Sequence, residues 1–130
     1  MIEFRLNERS GVPTYLQLVQ QVRQAIRLGL LQPGDRLPTV KEVVGKLAIN
    51  PNTVLKAYRE LDHEGLVEPR RGQGTFVSLA LTPAAPADHA ALQAALLRWI
   101  ERAQAAGFDE EGVAALFATA VQAAFVEEAA

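Results

Sequence analysis

Residues 37–77, LPTVKEVVGKLAINPNTVLKAYRELDHEGLVEPRRGQGTFV, decide the fold of this chain. Their first part has the spacing of a short helix. Thr39 and Glu42 match the capping box, in which these two side chains satisfy free backbone N–H groups at a helix start. The apolar face that follows is predicted to hold Val43, Val44, Leu47 and Ala48.

A second helix is predicted directly after the first. Asn50 can serve as its N-cap and Pro51 as its first residue, where a missing N–H costs nothing. Gly65 is a natural stop. Helical spacing places four residues inward: Val54, Ala57, Tyr58 and Leu61. The outward face of the first turns carries Asn52, Thr53 and Lys56, which suit base edges and phosphates better than a protein core.

A β-hairpin follows the helix pair. Residues 66–68 and 75–77 are β-prone, and Pro69 is tolerated only on an edge strand. The tip, residues 70–74, has two arginines followed by glycines that can adopt positive φ. In one interpretation these arginines contact a groove or phosphates, and in the other they belong to a solvated turn that contacts nothing. Two helices followed by such a hairpin indicate a winged helix-turn-helix.

Residues 37–77 resemble the DNA-binding domain of the GntR family of bacterial transcriptional regulators. The preceding stretch PTYLQLVQQVRQAIRLGLLQPGDRLPT, residues 13–39, is similar to that family's opening helix and connection. The similarity extends over residues 10–78, and the short remainder resembles the YtrA-type branch. It implies an α+β, mostly helical fold, with a winged helix-turn-helix followed by a two-helix antiparallel dimerisation region.

This resemblance also implies a function. It is that of a homodimeric repressor on palindromic double-stranded operator DNA, with recognition helix 50–64 in the major groove and wing tip 70–74 in the minor groove. Leu55 stands where many relatives have a polar or basic residue. It either packs inward or offers an apolar contact to thymine. The implied DNA-binding residues are Lys41, Asn50, Pro51, Asn52, Thr53, Lys56, Arg70, Arg71, Gly72 and Gln73.

Individual roles follow from side-chain chemistry at these positions. Asn52 can read adenine, and Thr53 can bond a phosphate or touch a thymine methyl group. Lys56 is expected to neutralise phosphate. Lys41 replaces the family's usual arginine, which keeps the charge but loses the bidentate fork.

Charge separates two parts of the chain. The net charge is −2 over 130 residues, but residues 1–78 carry +3 and residues 79–130 carry −5. The cations therefore lie where the DNA-reading motif lies. An Ala/Pro-rich stretch marks the boundary, which predicts a DNA-binding domain at 1–78, a linker at 79–87 and a helical region at 88–130.

Composition limits the remaining possibilities. With 49% hydrophobic residues the chain can bury a core, and its lack of cysteine excludes disulfides and thiolate metal sites. No stretch approaches about 18 strongly apolar residues. The N-terminus, with Glu3 and Arg5, does not resemble a signal peptide. We therefore expect a cytoplasmic protein without membrane contact.

The flanks of the N-terminal domain have simple patterns. Residues 2–6 alternate as an extended segment that packs on the domain. Residues 13–29 predict an amphipathic helix with Gln17 facing outward, and residues 36–37 predict a short third strand. Tyr15 is either a core residue or a phosphate donor. The inner stripe of the helix is predicted to comprise Tyr15, Leu18, Val19, Val22 and Ile26.

The last 43 residues predict two helices, 88–106 and a second capped by Asp109. Two such helices cannot bury two apolar stripes against each other alone, so a homodimer is expected; the alternative is that the pair folds back on its own DNA-binding domain. An effector would occupy an apolar niche near Trp99, Phe108, Phe117 or Phe125, unless these aromatics are interface core. The predicted dimerisation residues are Leu92, Leu96, Trp99, Ile100, Leu116, Phe117, Val121 and Phe125.

Catalysis has little support in the sequence. His63 and His89 are the only histidines and lie in different segments, without partners at ligand or relay spacing. No catalytic residue, cofactor or metal ligand is therefore predicted. The second functional hypothesis is a protein–protein or ligand-sensing winged-helix module that does not bind DNA.

Overall fold

The computed structural model describes residues 2–83 and 89–126, which contain five helices and one two-stranded sheet. The chain divides into two compact units, residues 1–86 and 87–130. The predicted class, α+β and mostly helical with a winged helix-turn-helix, is confirmed. The elements are α1 (Thr14–Arg27), α2 (Val40–Leu47), α3 (Pro51–His63), β1 (Val67–Arg70), β2 (Gly74–Val77), α4 (His89–Ala105) and α5 (Glu110–Phe125).

The core of the first unit lies between α1 and α3, and the ends of the hairpin close it. Leu18, Leu37 and Leu61 are completely buried there. The extended residues Ile2, Phe4 and Leu6 pack against this core, as the alternating pattern predicts. Arg23 of α1 and Glu64, which directly follows the last residue of α3, form an ion pair. The Arg23 guanidinium donates to both carboxylate oxygens of Glu64, at 2.8 and 2.6 Å. This pairing lowers the pKa of the Glu64 carboxyl.

Two glutamines of α1 hold the N-terminal segment. The prediction that Gln17 faces outward is wrong: its side chain accepts from the Asn7 N–H at 2.8 Å and donates to the Val12 carbonyl at 2.9 Å. Gln21 does the same one turn later, accepting from the Arg5 N–H at 2.9 Å and donating to the Arg5 carbonyl. The amide groups thus pair with an extended backbone as a neighbouring strand would.

The helix pair is built by its caps. The Thr39 hydroxyl accepts from the Glu42 N–H at 3.1 Å, and the Glu42 carboxylate accepts in return, which completes the predicted capping box. Asn50 caps α3 by accepting from the Asn52 N–H at 2.8 Å. Ala48 does not lie on the inner face of α2 as predicted. It ends the helix in the left-handed region, with φ +53°, and is exposed.

The hairpin is longer than predicted, but the third strand is missing. β1 and β2 pair antiparallel from Val67 opposite Val77 to Arg70 opposite Gly74. Arg36 forms only an isolated bridge with Phe76. Pro38 has no N–H to continue the ladder, and the next residue already caps α2, so a strand at 36–37 cannot extend.

The second unit is a helical hairpin. Gly107, with φ +99°, turns the chain, and Asp109 starts α5 by accepting from the Gly112 N–H at 2.8 Å. Trp99 of α4 and Phe117 of α5 meet with ring centroids 6.3 Å apart. The predicted linker residues 84–87, the first residue of the predicted helix at 88, and the tail at 127–130 lie outside the described residues. No helix described here is long and apolar enough to cross a membrane.

Candidate nucleic-acid interface

The outward face of α3 follows from which side is buried. Val54, Ala57, Tyr58 and Leu61 are all buried, as predicted. Four other side chains are consequently exposed and share the opposite side of the helix: Asn52, Leu55, Lys56 and Arg59. Thr53, between the two sides, is half-buried.

Leu55 faces solvent. Its side chain is 40% exposed, while the other large apolar residues of α3, Val54 and Leu61, are completely buried. The interpretation in which Leu55 packs inward is therefore wrong. Leu55 therefore places an apolar side chain on the exposed helix face that also carries Asn52, which precedes it by three residues.

The start of α3 is used mainly to form the helix. The side-chain oxygen of Asn50 is occupied by the Asn52 N–H, and Pro51 occupies the first helical position with no N–H to offer. Asn50 and Pro51 therefore position the helix end, and the Asn52 side chain is the first exposed amide within α3. Lys41 is exposed in the first turn of α2.

Lys56 has a partner that sequence reasoning missed. Its Nζ lies 4.1 Å from the centroid of the Tyr15 ring, at the start of α1. Tyr15 is itself half-buried and packs against the core. The two residues are 41 positions apart, so no local pattern could reveal this contact.

The wing separates its two arginines. The guanidinium carbon of Arg70 lies 4.2 Å from the centroid of the Phe76 ring, and its Nη2 is 4.0 Å from a carboxylate oxygen of Glu68. Arg71, Gly72 and Gln73 form the exposed tip, where Gly72 adopts φ +75°. Arg70 is thus held on the strand, and Arg71 is exposed in the turn.

A further cation, Arg36, lies between the wing and α2. Its Nη2 donates to Glu42 Oε1 at 2.8 Å, and a side chain at Gly74 would begin 3.8 Å from its Nε. Hydrogen bonds from Thr39, assisted by the charge of Arg36, hold the pKa of the Glu42 carboxyl below its ordinary value. The sequence pattern predicts a strand at Arg36 and no role for it at the interface.

The predicted dimerisation residues form an apolar surface on α4 and α5. Leu92 is 68% exposed, Phe117 46% and Phe125 62%, and no residue of α5 is buried. Trp99 and Ile100 are half-buried beside a groove of about 500 Å³. Among the residues described, no group of three or more His, Cys, Asp or Glu side chains could hold a metal ion.

Residues 14–77 match the family model described as bacterial regulatory proteins, gntR family. They cover α1, the helix pair and the whole hairpin. The match thus coincides with the elements that carry the exposed face of α3 and the wing.

Individual relatives agree with this match. The chain is 45% identical over 74 residues to the HTH-type transcriptional repressor YtrA of Bacillus subtilis (strain 168), covering 57% of each protein. It thus spans less than two thirds of that relative's length, and the same holds for a regulator from Mycobacterium tuberculosis and a second one from Bacillus subtilis.

Solved structures extend the comparison. A transcriptional antiterminator from Listeria monocytogenes EGD-e is 29% identical, with a TM-score of 0.60, over 93% of this chain and 91% of that chain. The DNA-binding domain of AraR in complex with operator ORX1 is 28% identical, with a TM-score of 0.50, over 60% of this chain and 93% of that chain.

Proposed function

Because this chain belongs, through residues 14–77, to the GntR family of bacterial regulatory proteins, we propose that it is a homodimeric transcriptional repressor of the bacterial cytoplasm that binds palindromic operator DNA. The observation that carries the proposal is the exposed face of α3, with Asn52 and Lys56 outward, followed directly by a wing whose Arg71 is exposed at the tip. The similarity to an operator-bound domain supports the same conclusion.

In this proposal α3 enters the major groove with its first turns against the bases. The Asn52 amide reads adenine through paired hydrogen bonds, and Leu55 contacts a thymine methyl group. Thr53 forms a hydrogen bond to a phosphate, and Lys56 and Lys41 neutralise other phosphates of the DNA backbone. Asn50 and Pro51 act by fixing where the helix begins.

The wing tip enters the minor groove in the same complex. Arg71 supplies the cation, Gly72 the sharp turn and Gln73 a polar side chain of moderate length. Arg70 stays against Phe76 and contributes mainly by holding the hairpin. Minor-groove contacts of this kind read groove width and A·T content more than an exact sequence.

Dimerisation is proposed through α4 and α5. A single copy leaves apolar side chains of both helices in water, including Leu92, Leu116 and Val121. Burial of apolar surface contributes about 25 cal/mol per Å², and this gain is what a second copy placed on this surface would provide. We assign Leu96, Trp99, Ile100, Phe117 and Phe125 to the core of this interface. Residues 79–87 then connect a DNA-binding domain at 1–78 to a dimerisation region at 88–130.

The proposal is tested with DNA from upstream of the protein's own coding sequence. We expect footprinting to show a protected palindrome. We also expect the double variant Lys56→Met/Arg71→Ala to lose most of the affinity. The matched control is Lys46→Met/Arg27→Ala, which removes one lysine and one arginine as well. Lys46 lies near the end of α2, and Arg27 is the last residue of α1, at the opposite end from Tyr15. This control should bind almost normally.

Two outcomes contradict the proposal. The winged helix is an interaction module, and not a DNA reader, if the wild-type protein shows no sequence preference at moderate salt. The assigned surface is wrong if the two double variants lose affinity equally, because the loss is then one of overall charge.

A further inference from the structure

The ring of Tyr15 and the ammonium group of Lys56 are in direct contact. Lys56 Nζ lies 4.1 Å from the ring centroid, well inside the separation of about 6 Å at which a cation is attracted to an aromatic face. The ring belongs to the first turn of α1 and packs against the core, whereas Lys56 is exposed on α3. A half-buried ring on α1 therefore contacts the end of an exposed side chain on α3.

We propose that Tyr15 is a positioning residue for DNA binding, whose ring keeps the Lys56 side chain turned toward the start of α1 and available to a phosphate. This inference rests on the proposed function. It adds a residue whose contribution to binding passes entirely through Lys56, and it requires nothing of the Tyr15 hydroxyl.

An alternative partner for Lys56 shows why the ring matters. Glu60 follows Lys56 by four residues, which places the two side chains on neighbouring positions of the helix surface. The ion pairs of the described residues join Arg23 to Glu64, Arg36 to Glu42 and Arg70 to Glu68, so Lys56 keeps its charge uncompensated. An aromatic face attracts the ammonium group without neutralising it, and so competes with the Glu60 carboxylate while leaving the charge free for DNA.

Conformational freedom gives a second reason. A lysine has a long side chain that loses many rotamers when it binds a phosphate, and this loss weakens the interaction. A contact already present in the free protein restricts the side chain before DNA arrives. The Tyr15 ring therefore makes the phosphate contact of Lys56 more favourable than that of an unsupported surface lysine.

The test is a double-mutant cycle on the full chain, with affinity for the footprinted operator measured over a series of salt concentrations. Tyr15→Phe keeps the ring and should bind like the wild type. Tyr15→Leu should weaken binding about three- to fivefold, the effect of an exposed cation–π contact. In a Lys56→Met background, Tyr15→Leu should have no further effect. Lys56→Met alone should lower the slope of affinity against salt by about one phosphate contact.

Glu60→Gln provides a rescue that a purely structural role of Tyr15 does not predict. In the Tyr15→Leu background it removes the competing carboxylate, so it should restore part of the lost affinity. In the wild-type background it should restore nothing beyond the general gain from removing one negative charge. An equal effect in both backgrounds would show that Glu60 does not compete with the Tyr15 ring for the Lys56 ammonium group.

A spectroscopic measurement covers the case in which Tyr15→Leu unfolds the domain. In the free wild-type protein and in Tyr15→Phe, the ε-methylene protons of Lys56 should be shifted upfield by the ring current. Ordinary lysine shifts in both proteins overturn the proposal.

The proposal is also overturned if Tyr15→Phe binds as weakly as Tyr15→Leu, since the hydroxyl then contacts DNA, or if Tyr15→Leu weakens binding equally when Lys56 is already replaced. Absence of any operator binding by the wild type overturns this inference together with the proposed function, whereas the other outcomes leave that function intact.

Discussion

The hydroxyl of Tyr58, in α3, donates a hydrogen bond of 2.6 Å to the carbonyl oxygen of Pro38, just before α2 begins. Tyr58 is only 7% exposed, and burial raises the pKa of its hydroxyl far above the ordinary value. The bond joins the chain entering α2 to the middle of α3. It therefore helps to fix the arrangement of the two helices that form the helix-turn-helix.

Replacing Tyr58 with phenylalanine should destabilise the domain by about 1–3 kcal/mol, because the buried carbonyl of Pro38 loses its partner. Urea unfolding of the two proteins measures this difference. Tyr15→Phe is the matched control, since the Tyr15 hydroxyl makes no hydrogen bond within residues 2–83 and 89–126. Equal stability of the wild type and Tyr58→Phe would show that the bond contributes nothing net.

Acid should weaken the capping box of α2. The pKa of Glu42 is lowered in the folded protein, chiefly by the Thr39 hydroxyl and then by its backbone N–H and by Arg36. A lowered folded-state pKa gives stability that is present above the unfolded value, about 4.3, and lost as the pH falls through the folded value. Glu42→Gln should therefore melt below the wild type at neutral pH, and the gap should close toward pH 3.

Thermal melts between pH 7 and pH 3 measure this gap. Glu64, whose pKa is also lowered, is present in both proteins, so the difference isolates Glu42. Glu8→Gln, at an exposed position outside the helices, serves as the charge control. A gap that stays constant over the whole range contradicts the assigned linkage.

Local signals made the helix pair predictable. The caps at Thr39 and Asn50 and the inner face of α3 each depend on residues within one or two turns, and the structure has all of them. The prediction for Ala48 is wrong because continued helical spacing gives no sign that α2 ends there. A left-handed residue other than glycine is rare, and the Ala48 N–H bonds back to Val44 to close the helix.

Long-range pairings explain what the sequence did not predict. Gln17 has the position of a solvated helix residue, and only the return of residues 5–12 along α1 gives its amide backbone partners. The contact of Lys56 with Tyr15 arises in the same way. Arg36 reaches the cap of α2 over only six residues, but through a turn that helical or strand spacing does not describe. Residue types and spacing predict a DNA-reading surface, but they could not identify which cations on it are already held by other side chains.

The two wing arginines should differ in their effect on DNA binding. Arg71→Ala is expected to weaken operator binding markedly, because Arg71 is exposed at the tip. Arg70→Ala should weaken it less and should instead lower the stability of the hairpin, because Arg70 lies over Phe76. Fluorescence anisotropy with operator DNA and thermal melts separate the two effects. Loss of affinity in the reverse order would place Arg70, and not Arg71, in the groove.

A charge in the apolar surface of α5 should separate the proposed dimer. Phe117→Asp places a carboxylate where Trp99 and the second copy are expected to pack, and burying an unpaired charge is strongly unfavourable. Light scattering after size exclusion should then show a monomer, and operator affinity should fall because the half-sites are bound separately. Gln122→Asp, which adds the same charge to the same helix away from the predicted stripe, should remain dimeric. A Phe117→Asp protein that is still dimeric would exclude this surface as the interface.

Leu55 should make the protein sensitive to a single methyl group in the operator. Replacing a thymine with deoxyuridine removes only the 5-methyl group and leaves every hydrogen-bonding edge and phosphate in place. At the thymine opposite Leu55, this change should weaken binding by the wild type about fourfold, the effect of roughly 0.8 kcal/mol for one apolar carbon. Leu55→Ala should bind the two operators almost equally, because its shorter side chain no longer reaches the methyl group.

A scan that replaces each thymine of the footprint with deoxyuridine in turn, with thymines outside the footprint as controls, identifies the position that Leu55 contacts. If every thymine is replaceable without loss, or if Leu55→Ala keeps the full discrimination, then Leu55 reads no base, and its exposure on α3 has another cause.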